Sequence, residues 1–154
     1  MNIVEIYMLC KSRSKEFAVA FLENFAPNRE PCSDEYPYPE YEEPAKHVYD
    51  DVEELLGELE NSKGESYSLY WNGIDMPKVK NAMLFYTEDG QMVAGLAVEQ
   101  NSVEKLFSEL ALFSDAKYGY VSFDSPPPET KDEFVQYCRN SDQVRMVDGE
   151  MLMS

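Results

Sequence analysis

Residues 82–98, AMLFYTEDGQMVAGLAV, are two apolar runs joined through Glu88-Asp89-Gly90-Gln91. A glycine directly after an aspartate supplies the positive φ of a tight reversal, so this stretch predicts an antiparallel hairpin. That commits the middle of the chain to neighbouring antiparallel strands. Gly95, inside the second run, marks a bulge or the close approach of another backbone.

The flanking segments are read from their periods. NIVEIYML, residues 2–9, is apolar and β-branched enough for the strand that starts the sheet. Ser12 or Ser14 then caps a helix running to about Phe25, with Phe17, Ala18, Phe21, Leu22 and Phe25 as one apolar stripe ended by Pro27. Asp50 or Asp51 caps a second helix, in which Val52, Leu55, Leu56 and Leu59 share a face opposite acidic residues. SYSLYWN, 66–72, alternates as a strand with Tyr67, Leu69 and Trp71 on one side. Asn101 and Glu104 have the spacing of a capping box for a third helix to about Phe113, and KYGYVSF, 117–123, is again a strand. Three prolines at 126–128 lead to a second capping box, Thr130 with Glu133, and a short helix through Phe134, Tyr137 and Cys138. The tail carries an Asp148-Gly149 turn, either a small terminal hairpin or a frayed end. The expectation is a single α+β domain over residues 1–154, a largely antiparallel sheet with helices packed on one face.

One segment resists this reading. From Glu30 to about Lys46 no period survives, and prolines at 31, 37, 39 and 44 exclude a helix interior or a central strand. Connections this long inside compact domains tend to be functional or disordered. Residues 30–60 hold twelve acidic side chains and the single base Lys46, a net of −11 out of −17 for the chain. Such a field repels nucleic acid and anionic lipid and attracts cationic partners. Tyr36, Tyr38, Tyr41 and Tyr49 lie in the same segment, and tyrosine offers large rigid contact area at low entropic cost. Asp34, Glu35, Tyr36, Tyr38, Glu40, Tyr41, Glu42 and Glu43 are therefore the candidate partner-binding residues, facing a basic protein.

Catalytic and cofactor signatures are lacking. His47 is the one histidine and has no nucleophile motif to serve; no glycine-rich phosphate loop or dinucleotide fingerprint occurs. Cys10, Cys32 and Cys138 form no metal-binding or redox pair and are read as reduced thiols, Cys10 and Cys138 buried within apolar patterns and Cys32 in the loop. No apolar run is long enough to span a bilayer and the opening residues do not form a secretory signal, so the expected compartment is the cytoplasm. Two rival readings remain: a small carboxylate-based enzyme or metal-binding domain using Asp34, Glu35, Glu40, Glu42 and Glu43, and a self-associating domain whose exposed hairpin edge pairs with its copy in a homodimer.

SLYWNG at 68–73, NAMLFYTEDGQMVAGLAV at 81–98 and GYVSFDSPPPETKDEF at 119–134 together resemble the small acidic α+β immunity proteins of bacterial polymorphic toxin systems. The resemblance implies a cytoplasmic protein that binds and blocks one toxin domain, with no catalysis of its own. It carries over no binding residue by position.

Overall fold

The computed structural model describes residues 2–153. In chain order it runs β1 (Ile3–Cys10), α1 (Lys15–Phe25), β2 (Arg29–Pro31), β3 (Tyr36–Tyr38), β4 (His47–Tyr49), α2 (Val52–Asn61), β5 (Tyr67–Gly73), β6 (Val79–Tyr86) and β7 (Met92–Glu99). A 3₁₀ turn then leads to α3 (Val103–Ser114), β8 (Gly119–Ser122), α4 (Lys131–Asn140), β9 (Arg145–Val147) and β10 (Glu150–Leu152). Eight strands form one antiparallel sheet in the order β10, β9, β8, β1, β7, β6, β5, β2, and β3 pairs with β4 in a separate ribbon. The architecture is α+β.

The hairpin of β6 and β7 closes at Tyr86 opposite Met92, with the Thr87 N–H donating to the Gln91 carbonyl at 3.0 Å and Gly90 at φ +87°. Because β5 and β1 flank it, this hairpin sits in the middle of the sheet and has no edge to offer a second copy. The edges of the sheet lie instead at β10 and β2. Gly95 marks neither a bulge nor an approaching backbone: it lies opposite Tyr7, whose ring a Cβ would meet at 2.9 Å. The aromatic ring fills the space the glycine leaves.

Alternation along β1 divides the core in two. Val4, Ile6, Met8 and Cys10 face the larger cluster with Phe21 of α1, Leu55, Leu56 and Leu59 of α2, and Phe107 and Leu110 of α3. Tyr7 and Leu9 face the other way, where Phe85, Val93 and Tyr120 meet Phe134 and Cys138 of α4. Each such fully buried side chain contributes about 1.5–3 kcal/mol relative to exposure. Helices on one face thus describes α1, α2 and α3, while α4 covers the opposite face. Its proline-led entry carries the chain around the sheet.

Three helix caps follow the sequence: Ser14 accepts from the Phe17 N–H, Asp51 from Glu53 and Thr130 from Glu133. The box at Asn101 and Glu104 does not form. Residues 100–102 wind into the 3₁₀ turn, which moves the helix start to Val103 and leaves Ser102 as a cap without a side-chain bond. The tail resolves as a hairpin, with Asp148 and Gly149 both at positive φ as a two-residue turn between β9 and β10 requires.

The segment from 30 to 46 is more ordered than its prolines suggested. Pro31 ends the edge strand β2, and Pro37 is the centre of β3 in a two-stranded ribbon, positions where a missing N–H interrupts no central ladder.

Candidate interaction surface

The ribbon is the stem on which the acidic segment stands. Tyr36 pairs with Tyr49, Pro37 with Val48 and Tyr38 with His47, and the Lys46 N–H donates to the Tyr38 carbonyl at 3.0 Å. Tyr36 is only 7% exposed and belongs to the main core; Tyr38 and Tyr49 are half-buried against it, ring to ring at 6.1 Å. The Tyr67 hydroxyl reaches across from β5 to the Pro37 carbonyl at 2.8 Å. These contacts fix the stem from both sides.

The eight residues expected to face a partner consequently divide. Tyr36 and Tyr38 are committed to the interior, so neither is free to act as an anchor. Glu40 is half-buried, and both its carboxylate oxygens accept from the Ser68 N–H at 3.2 and 3.3 Å. Burial pushes its pKa above the usual carboxylate value, although the Ser68 bond opposes the shift. That bond occupies an edge amide of β5 where β2, paired only from Trp71 to Gly73, no longer reaches. Asp34, Glu35, Tyr41, Glu42 and Glu43 remain exposed, Tyr41 at 87%. Sequence reasoning put the inward and outward tyrosines in one class because a segment without a period gives no sign of direction.

A hollow of about 240 Å³ opens beside the stem, between Tyr41 and Tyr70, with Glu35 and Glu40 in its lining and no lysine or arginine. Tyr70 is 44% exposed and was not expected here. The alternation of SYSLYWN that points Tyr67, Leu69 and Trp71 inward already sends Tyr70 to the other side, so the signal was present. Aromatic faces beside carboxylates make a receptor for a single cationic side chain. Beyond the stem, β4 delivers the chain to the N-terminus of α2, where Asp50, Asp51, Glu53 and Glu54 are exposed and extend the negative surface.

The five carboxylates of the rival metal reading do not converge: among the described residues, no three His, Cys, Asp or Glu side chains are grouped to hold an ion. His47 is exposed, edge-on to Tyr49 at 4.3 Å. Cys10 and Cys138 are buried, which pushes each thiol up to about 12, and Cys32 is exposed. No helix among the described residues is long and apolar enough to cross a membrane. Comparison with protein-family models, with curated proteins and with solved structures finds no match to this chain.

Proposed function

We propose that this chain is a non-catalytic binding protein that neutralises a basic protein partner, and that the partner is the bacterial toxin domain which the immunity-protein resemblance implies. The observation that carries the reading is the hollow between Tyr41 and Tyr70, bordered by Glu35 and Glu40 and free of cations. A lysine or arginine side chain of the partner seats there, stacking on the tyrosines for about 0.5–2 kcal/mol and pairing with the carboxylates. Glu42, Glu43 and the acidic start of α2 steer the encounter, which for complementary charge reaches about 10⁸–10⁹ M⁻¹s⁻¹ at low salt. Because the stem is already fixed by its own contacts, less ordering entropy opposes binding. The encounter would take place in the bacterial cytoplasm.

Co-expression with the toxin domain encoded beside the chain's own gene tests this. Growth rescue by the wild type is expected, with rescue lost in the triple variant Tyr41→Ala, Glu42→Lys, Glu43→Lys. Undiminished rescue by the triple variant would remove the surface from the proposal. No rescue by the wild type would remove the immunity reading itself.

A further inference from the structure

β9 is too short to cover β8. Their ladder pairs Gly119 with Met146 and Tyr120 with Arg145 and goes no further. On its other side β8 pairs with β1 as far as Ser122, and the Leu9 N–H donates to the Tyr118 carbonyl at 3.0 Å. Successive residues of an antiparallel strand direct their amides and carbonyls to opposite sides. Tyr118, Tyr120 and Ser122 therefore bond toward β1, which turns Gly119, Val121 and Phe123 toward the β9 side. Past the end of the ladder, the Val121 carbonyl and the Phe123 amide have no hydrogen-bond partner among the described residues.

These groups open into a groove of about 710 Å³ between the β8 edge and α4. Tyr120 lies within it, stacked on Tyr137 with ring centres 5.6 Å apart and planes at 24°. Tyr137 and Phe123 are 56% and 53% exposed. Asp132 and Glu133 stand at the N-terminal end of α4, and no lysine or arginine is in the lining. The ledge itself is held in place: the Asp124 N–H donates to the Glu5 carboxylate at 2.7 Å, and the Ser125 carbonyl accepts from the Tyr7 and Ser122 hydroxyls at 3.0 and 3.1 Å. The equivalent gap on β5 is closed by Glu40. Here nothing among the described residues closes it.

We propose that this groove is a second docking site, separate from the acidic stem, which takes an extended basic segment of a protein partner as an added strand on β8. The segment's backbone bonds the Val121 carbonyl and the Phe123 amide, and the side chains it turns toward α4, every second residue, alternate between an apolar one on Tyr137 and a cation meeting Asp132 and Glu133. Charge selects the occupant: a second copy of this chain, at −17, would bring like charge to the two carboxylates. The groove lies four strand positions from β5, roughly 19 Å across the sheet. The two sites can therefore be tested apart.

The probe is a fluorescein-labelled octapeptide with the pattern Val-Thr-Lys-Thr repeated, so that one face carries Val and Lys in turn, followed by anisotropy and by hydrogen exchange at the Phe123 amide. Binding is expected to slow that exchange about tenfold, and N-methylation of the alternate peptide amides that face the ledge is expected to weaken binding about tenfold. Asp132→Lys is expected to weaken it by a similar factor, whereas Glu42→Lys with Glu43→Lys leaves the Phe123 protection in place. The methylated peptide reads the ladder on unaltered protein, so the result does not depend on any variant folding. Equal binding of methylated and unmethylated peptides, unchanged exchange at Phe123, loss of protection in the Glu42/Glu43 variant, or no measurable binding would each overturn the proposal.

Discussion

Arg13 carries a charge into the interior, and among the described residues no carboxylate forms an ion pair with it. Its guanidinium donates to five backbone carbonyls, those of Leu59, Ser62, Glu65, Thr87 and Gln91, at 2.7–3.1 Å, and lies over the Tyr86 ring at 4.9 Å. It ties the end of α2 to the turn of the central hairpin, and in the run KSRSKE nothing distinguishes it from a solvated arginine. Arg13→Ala leaves those carbonyls without their donor, at an expected cost of about 3–5 kcal/mol in urea unfolding, and Arg13→Lys recovers only part because an ammonium cannot reach both sides of the fork. Asp89 acts similarly across the hairpin turn, accepting from the Lys131 N–H at 2.8 Å and so capping α4 from outside the helix. Burial alone would raise its pKa, but hydrogen bonds from the Thr87 hydroxyl and the Lys131 N–H outweigh it and hold the carboxyl below the usual aspartate value. The unfolded chain then binds the proton more readily, so the contribution is complete above the ordinary aspartate range near 4 and is lost as pH falls through the lowered folded value. Asp89→Ala is expected to cost about 1 kcal/mol at pH 7, with the difference from wild type vanishing as the pH of the unfolding measurement is lowered below that range. A difference that persists in acid would mean that the side chain acts by packing rather than by charge.

The ribbon of β3 and β4 separates two tyrosines five residues apart in their consequences. Tyr36→Ala opens the main core and is expected to lower stability by about 3 kcal/mol, whereas Tyr41→Ala, removing an 87% exposed side chain, stays within about 0.5 kcal/mol of wild type. Thermal unfolding of the two variants checks this, and equal losses would show that Tyr41 folds back on the protein in solution. The longer elements were legible because their periods are strong: α1, α2, β5 and the β6–β7 hairpin occupy the stretches their apolar patterns mark. The short strands were not. β2, β3 and β4 have three residues each, too few for a period of two to register, and they exist because the β5 edge and the α2 face are there to receive them. Asn101 shows the complementary failure, a correct local capping pattern displaced by a tighter turn at the end of β7.

A net charge of −17 on 154 residues works against the compact state, and among the described residues only four ion pairs lie within 4 Å. Raising ionic strength from ~0.01 M to ~0.15 M shortens the screening length from roughly 30 Å to 8 Å, so Tm measured by scanning calorimetry is expected to rise with salt. A flat or falling Tm would mean that the acidic surface is not self-repelling at its folded spacing. Composition and periodicity alone determined the α+β class, the antiparallel centre of the sheet, the helix faces and the concentration of negative charge in one segment, since each follows from side-chain type repeated at a fixed interval. Which tyrosines of that segment turn outward, that Glu40 seals a strand edge, that α4 crosses to the opposite face and that β8 outruns β9 were decided only by tertiary structure. Direction and pairing at those positions depend on neighbours far away in the chain, and no local interval encodes them.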